Sequence, residues 1–335
     1  TLVLNSASGV FNNQNAGNGK AVTVTGASLG DGTGLASNYT VAQSSAGTAN
    51  ITPKALTVTD VTASSRVYDG TQQASLSGGV LSGLVGLETL NLDLSNQAGT
   101  FSDKNVGAGK VVTVTGATVA DGTGLASNYA FSNATGVTAN ISKATISSVS
   151  NVGVNNKTYD GSMTATLSGT AIFNGKAGAD NLTVSSGNGS FVDKNAGAGK
   201  TVNVSNITLG GADAGNYLLD STTSSGVADI AKATISSVSN VGVDNKTYDG
   251  LRTATLKGTA SFDGIIGNDS LSVAGSGLFS DKNAGTAKVV TVSGITLAGA
   301  DAGNYILGSN ASSGTADITP KALTVAGQVA GNKVY

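Results

Sequence analysis

Cysteine, histidine and tryptophan are absent from this sequence of 335 residues. Without cysteine there are no disulfide bonds and no thiolate chemistry, and without cysteine or histidine the usual ligands of zinc and copper are missing. Only 11% of the residues are charged, and the net charge is −2. A chain with no basic stripe and few aromatic residues is not expected to bind nucleic acid. No apolar run is long enough for a transmembrane helix.

What the sequence does contain is repetition. Three short motifs recur about every 90 residues, a period that fits one small domain better than one unit of a solenoid. A Phe-led motif starts at Phe11, Phe101, Phe191 and Phe279. The motif Tyr-Asp-Gly stands at Tyr68-Asp69-Gly70, Tyr159-Asp160-Gly161 and Tyr248-Asp249-Gly250, and an Asn-Tyr pair ends at Tyr39, Tyr129, Tyr217 and Tyr305.

The copies are predicted to follow one another with joins of only two or three residues. Both prolines of the chain, Pro53 and Pro320, lie at such joins, and proline within strand regions marks edges and breaks. The sequence therefore predicts a partial copy over 1–53, full copies over 54–142, 143–231 and 232–320, and the start of another over 321–335. Because no flexible linker separates the copies, we expect a semi-rigid array.

Apolar and polar residues alternate along most of each copy, as in half-buried strands. In the copy 143–231 the pattern predicts strands near 145–149, 164–167, 181–185, 201–209, 217–219 and 226–230, with a short one at Phe191. The alternation changes parity at Gly26, Gly116, Asn206 and Gly294, where we expect a β-bulge. Six or seven short strands favour an all-β fold, namely tandem immunoglobulin-like β-sandwiches in an elongated array. A β-grasp-like mixed sheet in each repeat is the alternative.

Most of the repeated polar residues are interpreted as structural. Tyr-Asp-Gly and the Asp-Lys-Asn sequence that begins at Asp103, Asp193 and Asp281 are predicted to form turns, with the tyrosine ring buried and its hydroxyl bonded. A carbohydrate-stacking tyrosine and a Lys–Asn isopeptide crosslink are the weaker readings. The loop residues Asp180, Asp213, Asp269 and Asp301 could bind calcium between domains, but the usual calcium motifs are missing. We therefore predict no catalytic residues, no cofactor and no enzymatic activity.

Two resemblances add to this interpretation. The sequences around Asp213 and Tyr217, and around Asp301 and Tyr305, resemble the tyrosine corner of immunoglobulin domains. The copies 1–53 and 54–142 are two residues longer here, with Leu35 and Leu125 at the aspartate position, so the corner is not expected in them. Taken together, the three motifs resemble the YDG-type repeats of large bacterial secreted adhesins similar to filamentous haemagglutinin.

The second resemblance implies a structural stalk in a secreted or cell-surface bacterial adhesin, with no catalytic residues. The expected partners are a host surface or a biofilm polysaccharide, reached through this or another region of the full protein. We expect a monomeric rod that neither binds nucleic acid nor inserts into a membrane. The alternative is that the repeats themselves bind glycan, which an exposed row of tyrosines would support.

Overall fold

A computed structural model describes residues 1–42 and 45–335 of the chain. By its internal contacts the chain divides into two compact units, which are described separately. The first contains Thr1–Ala144 together with Ala177–Asp180 and Gly215–Leu218. The second contains Thr145–Lys176, Asn181–Ala214 and Leu219–Tyr335. These units differ from the predicted sequence copies, whose bounds stay a prediction.

The first unit begins with a three-stranded antiparallel sheet in the order β1-β2-β3. Its strands are β1 (Leu2–Phe11), β2 (Gly17–Asp31) and β3 (Ser45–Ile51), with a 3-10 turn over Ala36–Asn38. In this sheet β3 is an edge strand.

The rest of the first unit is built from short strands in three small sheets. The strands are β4 (Lys54–Ala63), β5 (Arg66–Val67), β6 (Gln73–Ala74), β7 (Leu76–Ser82), β8 (Leu90–Asp93), β9 (Ala98–Phe101), β10 (Gly107–Thr115), β11 (Thr118–Asp121), β12 (Tyr129–Ser132) and β13 (Thr138–Ser142), with a 3-10 turn over Ala126–Asn128. The main sheet has the order β5-β13-β10-β9-β6, and β5 runs parallel to β13. A second parallel pair joins β12 to β4.

The next strands continue the same scheme. They are β14 (Ala144–Ile146), β15 (Ser148–Ser150), β16 (Lys157–Thr158), β17 (Thr164–Ala165), β18 (Ile172–Asn174), β19 (Thr183–Phe191), β20 (Gly197–Gly210), β21 (Tyr217–Leu219) and β22 (Ser224–Ala231), with a 3-10 turn over Ala214–Asn216. The main sheet of this segment, in the second unit, has the order β16-β22-β20-β19-β17. It corresponds strand for strand to the five-stranded sheet of the first unit.

The last strands of the second unit repeat the arrangement again. They are β23 (Ala233–Ile235), β24 (Ser237–Ser239), β25 (Lys246–Thr247), β26 (Thr253–Ala254), β27 (Ser261–Asp263), β28 (Ser272–Phe279), β29 (Gly285–Ala298), β30 (Tyr305–Leu307) and β31 (Ser312–Thr319), with a 3-10 turn over Ala302–Asn304. Their main sheet has the order β25-β31-β29-β28-β26. The all-β prediction is confirmed, with several small sheets that curl into half-barrels and recur in tandem.

The predicted alternation accounts for the buried faces of these sheets. Val112 and Val114 are buried on β10, whereas Val111 beside them is 57% exposed. At Asn206 the backbone has a φ of 54°, and the pairing of β19 with β20 shifts register there. A β-bulge inserts one extra residue into one strand of a pair, so the apolar side chain of Ile207 returns to the core and is buried. The predicted bulge is confirmed, and Phe191 ends β19 instead of forming a separate strand.

Candidate functional site: tyrosine and carboxylate joints between copies

The repeated tyrosines meet around a buried aspartate. We use the name Tyr68 joint for Tyr68, Lys104, Asp180 and Tyr217, all of which belong to the first compact unit. Both tyrosine hydroxyls donate hydrogen bonds of 2.7 Å to Oδ2 of Asp180. Lys104 Nζ donates to Oδ1 at 2.7 Å. Because Tyr68 and Lys104 lie in the predicted copy 54–142, and Asp180 and Tyr217 in the next copy, the joint links consecutive copies.

The two rings of this joint pack edge to face. The ring centroids of Tyr68 and Tyr217 are 5.4 Å apart, with an angle of 80° between the ring planes. Lys104 Nζ lies 5.9 Å from the centroid of the Tyr68 ring. Edge-to-face pairs and cations over aromatic faces each contribute roughly 0.5–1.5 kcal/mol beyond the burial of area. The joint therefore combines apolar ring packing with a carboxylate whose two oxygens both accept hydrogen bonds.

The same arrangement recurs in the second unit as the Tyr159 joint, which consists of Tyr159, Lys194, Asp269 and Tyr305. The hydroxyls of Tyr159 and Tyr305 donate to Oδ2 of Asp269 at 2.7 Å and 2.6 Å. Lys194 donates to Oδ1 of the same carboxylate at 3.1 Å, and the rings are 5.5 Å apart. Two independent occurrences with the same atoms in the same roles indicate a conserved geometry within this chain.

Ionisation at the joints follows from burial and bonding. Burial alone would raise the pKa of Asp180, but hydrogen bonds from Lys104, Tyr217 and Tyr68 outweigh it and lower the pKa. Burial and the bond to Asp180 raise the pKa of Tyr217 to about 12. Burial and the bond to Asp269 likewise raise the pKa of Tyr305 to about 12. At neutral pH the joint therefore holds one carboxylate and two protonated tyrosines, which is the state that its hydrogen bonds require.

The Asn-Tyr motif supplies a second contact between copies. The backbone N–H of Val106 donates to Oδ1 of Asn216 at 3.0 Å, and Nδ2 of Asn216 donates to Oδ1 of Asn105 at 3.1 Å. Asn304 makes the equivalent pair of bonds with Ala196 and Asn195. Both Asn216 and Asn304 are buried. This reciprocal pairing satisfies both ends of a buried amide, which would be costly to leave unbonded.

The predicted turns are confirmed, and each one positions part of a joint. Oδ1 of Asp69 accepts the N–H and the hydroxyl of Thr71, and Gly70 has a φ of +80°. In the next motif Oδ1 of Asp103 accepts the N–H of Asn105. Asp160 and Asp249 repeat the first turn, with Gly161 and Gly250 also at positive φ. The turns direct Tyr68 and Tyr159 into the joints, where both are buried.

Tyr248 is the exception among the Tyr-Asp-Gly tyrosines. Its N–H donates to the carbonyl of Thr319, as the N–H of Tyr68 does to Ser142. Within the described ranges its hydroxyl has no hydrogen-bond partner, and the residue is only partly buried. The Asn-Tyr pair that follows it, Asn304-Tyr305, belongs to its own copy, and Tyr305 binds in the Tyr159 joint. The burial of Tyr68 and Tyr159 and the bonding of their hydroxyls therefore come from the contacts in the joints and not from the Tyr-Asp-Gly turn alone.

The tyrosine-corner expectation is partly corrected. The hydroxyls of Tyr217 and Tyr305 do accept backbone N–H groups, but from Ala177 and Ile266, about 40 positions upstream rather than a few. Tyr129 accepts the N–H of Val85 in the same way, so the bond is also present in the copy 54–142, where it was not expected. The longer loop there leaves Leu125 40% exposed and does not move the tyrosine.

Asp213 and Asp301 have a supporting role next to the joints. Their carboxylates accept the N–H of Asn181 and of Ser270, each at 2.8 Å, and these donors directly follow Asp180 and Asp269. In the copy 54–142 the hydroxyl of Thr123 accepts the N–H of Thr89 instead. The aspartates considered for calcium thus hold a loop or bind tyrosine and lysine. Among the described residues no group of three acidic or histidine side chains lies close enough together to hold a metal ion.

A short sequence pattern marks the three carboxylates that accept a tyrosine hydroxyl. Val85-Gly-Leu-Glu88, Ala177-Gly-Ala-Asp180 and Ile266-Gly-Asn-Asp269 share the pattern apolar-Gly-x-acid. In each, the N–H of the acidic residue donates to the carbonyl of the first residue. The acidic residue is Glu in one copy and Asp in two. The pattern is therefore hidden when the copies are compared by residue identity alone.

No repeated row of exposed tyrosines accompanies the joints. Tyr68, Tyr129, Tyr159, Tyr217 and Tyr305 are all buried, so they cannot stack against a sugar. Tyr39 and Tyr335 are exposed and stand outside the joints. The observation that would favour glycan binding by the repeats is therefore missing from the described residues. In that part of the chain, too, none of the helices has the length and apolar character to cross a membrane.

Comparison with known proteins supports the repeat interpretation. A comparison with curated proteins gives no match. Among solved structures, four N-terminal cadherin domains of Drosophila N-cadherin are similar with 9% identity and a TM-score of 0.21, over 90% of this chain and 83% of the other, a likeness too low to carry an argument. The sequence model of the YDG domain matches residues 52–136, 142–225 and 231–313. Because these three matches cover most of the chain, the protein belongs to the YDG domain family.

Proposed function

We propose that these repeats form a structural stalk in a bacterial adhesin that is secreted or held at the cell surface. The observation that carries the proposal is that the repeated motifs form the contacts between copies. All three motifs converge on the Tyr68 and Tyr159 joints, where side chains of one copy bind side chains of the next. A module selected for spacing needs contacts of this kind, because they limit bending between neighbours.

The chemistry of the joints suits a mechanical role. The tyrosines and carboxylates are buried and bonded to one another, so a substrate would have to break the joint to reach them. We therefore propose that the repeats have no enzymatic activity. In this proposal the stalk extends a separate binding region toward a host surface or a biofilm polysaccharide.

Small-angle X-ray scattering of the chain tests the stalk. Three full copies in a row predict a rod with a maximum dimension of roughly 100 Å or more, since a strand of eight residues spans about 26 Å. The double variant Asp180→Ala, Asp269→Ala is expected to give a broader distribution of distances, because both joints lose their carboxylate. A compact particle for the unaltered chain would reject the stalk. A glycan array should give no binding to this chain, and strong binding would favour the glycan alternative.

A further inference from the structure

Each full copy places its first segment alongside its last strand. In the copy 232–320, β25 pairs in parallel with β31, with Lys246 opposite Ile318. The N–H of Tyr248 continues this ladder by donating to the carbonyl of Thr319 at 2.8 Å. Residues near the beginning of the copy are therefore bonded directly to the residues that end it, and the two segments run in the same direction.

Side chains extend this contact to the residues before β25. The hydroxyl of Ser312 donates to the carbonyl of Val238 at 2.5 Å, and Oδ1 of Asn245 accepts the N–H of Asp317 at 2.7 Å. The contacts follow one another in the same order along both segments. We use the name clamp for the segment 238–248 together with β31, both of which lie in the second compact unit, and for its counterparts in the other copies.

The clamp recurs in the other full copies. In the copy 143–231, β16 pairs in parallel with β22, and Oδ1 of Asn156 accepts the N–H of Asp229 at 2.8 Å. In the copy 54–142, β5 and β13 make the parallel pair. Because the same two segments meet in the same direction in all three copies, the clamp is part of the repeated architecture.

In two of the copies a glycine allows the segments of the clamp to approach each other. A Cβ atom added to Gly314 would lie 2.2 Å from the carbonyl oxygen of Val241, and one added to Gly226 would lie 2.2 Å from the carbonyl oxygen of Val152. No side chain fits at that distance, so the close approach of the two backbones requires glycine. The sequence of these last strands is therefore adapted to the first segment beside them.

The parallel direction of the two segments determines how a clamp responds to tension. A stalk that is pulled along its length is loaded at the first and last residues of every copy. Pulling the first segment backward and the last strand forward slides two parallel neighbours past each other, so all the bonds between them carry the load together. In an antiparallel hairpin that is pulled at its open ends, the bonds break one after another. The clamp therefore has the geometry that resists the larger force.

We propose that the clamp is the element of each copy that resists tension along the chain, and that a copy unfolds under load only when its first segment and last strand shear apart. The biological meaning of this inference rests on the proposed stalk function, because a stalk is loaded at its two ends. The proposal gives the Tyr-Asp-Gly tyrosine a second task. Tyr159 binds Asp269 of the next copy through its hydroxyl and closes the clamp of its own copy through its N–H, which donates to Ala231.

Single-molecule force spectroscopy of the full chain tests the clamp by the direction of pulling. The chain has no cysteine, so two introduced cysteines attach the handles at chosen positions. Handles at Lys232→Cys and Lys321→Cys, both exposed positions, load the clamp in shear, and the copy should release roughly 300 Å of chain in one step. Handles at Ser272→Cys and Ala298→Cys, which are opposite each other in the antiparallel pair of β28 and β29, should open that hairpin at a several-fold lower force. Equal forces in the two directions would overturn the proposal.

A matched pair of variants isolates one bond of the clamp. Tyr248→Ala removes the ring and keeps the N–H, whereas Tyr248→Pro removes both. Under constant tension in the shear direction, the proline variant should unfold about five- to tenfold faster than the alanine variant, because the bond to Thr319 is lost. In the hairpin direction the two variants should open at the same force. Equal unfolding rates in shear, or an equal difference in both directions, would refute the assignment.

The comparison of pulling directions needs neither variant, so it stands even if the proline variant does not fold. Its result is also separate from the test of the stalk, which is the scattering measurement. A rod whose copies open at the same force in both directions would refute the clamp alone. A compact particle would reject the stalk and leave the force measured on the copy 232–320 unaffected.

Discussion

The Tyr68 joint and the contacts around Glu88, to which Tyr129 donates its hydroxyl, share one design. Both have a carboxylate that accepts a tyrosine hydroxyl of its own copy and an asparagine bonded to the preceding copy. Lys104 binds the carboxylate of the Tyr68 joint, whereas Gln14 stands at the corresponding position near Glu88. The comparison shows that the asparagine contact and the hydroxyl contact with the carboxylate form without the lysine.

The difference also shows how two motifs vary together. In the Tyr68 and Tyr159 joints the loop carries Asp-Lys-Asn, and its lysine binds an aspartate. Where the loop reads Asn12-Asn13-Gln14, the carboxylate is Glu88. Asn13 still accepts the N–H of Asn15 at 3.1 Å and still binds Lys20, so the turn survives the loss of charge. The turn and the contact with Lys20 therefore depend on an oxygen acceptor and not on its charge.

Removing the shared carboxylate should have the largest effect. Asp180→Ala leaves two buried hydroxyls and an ammonium without their acceptor, so we expect a loss of roughly 3 kcal/mol in the free energy of unfolding. Chemical denaturation measures it. The matched control is Asp220→Ala, an exposed aspartate that should change stability by less than about 0.5 kcal/mol. Equal effects of the two variants would contradict the central role given to Asp180.

Alkaline pH should have the second-largest effect, because it weakens the Tyr68 and Tyr159 joints. The pKa of Tyr217 and Tyr305 is raised to about 12 in the folded chain, and it is about 10 when unfolded. A raised pKa contributes stability that is complete below pH 10 and is lost as pH rises through 12, so each tyrosine should lose roughly 2 kcal/mol in that window. Denaturation midpoints at pH 8, 10 and 12 measure this.

In Tyr217→Phe and Tyr305→Phe together, the fall in stability between pH 10 and 12 should shrink, because the groups that titrate there are gone. At the acid end the sign reverses. The lowered pKa of Asp180 and Asp269 stabilises the folded chain above about pH 4, and this contribution is lost as pH falls below that value. An unchanged alkaline slope in the double variant would show that other groups cause it.

The asparagine contact should rank third. Asn216→Ala removes both hydrogen bonds of a buried amide and leaves the Val106 N–H without its acceptor. We expect the free energy of unfolding to fall by roughly 1–2 kcal/mol. Asn38→Ala changes the equivalent residue of the partial copy, which is exposed, and should be close to neutral. Differential scanning calorimetry compares the two. A similar shift in melting temperature would mean that Asn216 acts through its own loop and not through the joint.

Removing one hydroxyl should have the smallest effect. Tyr68→Phe keeps the ring contact with Tyr217 and loses one bond to Asp180, so we expect about 1–1.5 kcal/mol. Tyr248→Phe makes the same change where the hydroxyl has no partner in the described part of the chain, and we expect no measurable change. If Tyr248→Phe destabilised the chain as much as Tyr68→Phe, the hydroxyl would be acting inside its own copy.

Much of the fold could be predicted from local pattern. The paired valines of β10, β20 and β29 identify long strands because the alternation spans many residues, and the change of parity locates the bulge at Asn206. Two-residue strands such as Lys157–Thr158 were missed, because two residues carry no periodicity. The parallel pairing of β5 with β13 was missed as well, since it depends on residues 75 positions apart.

Of the joints, the sequence identified the members and not their association. Tyr68 and Tyr159 were correctly predicted to be buried with bonded hydroxyls, because tyrosine beside a turn commonly meets those needs. Their partners Asp180 and Asp269 were considered only as calcium ligands, because nothing in a linear pattern relates a loop of one copy to a tyrosine more than 100 positions earlier.

The sequence by itself determined the strand alternation and the turns, because each depends on neighbours within a few positions, and the repetition can be read from it directly. Which copy buries which tyrosine was decided only by the tertiary structure. Hydrogen bonds to a shared carboxylate form where the folded backbones bring three distant segments within 3 Å of one another, and that proximity is a property of the packed sheets.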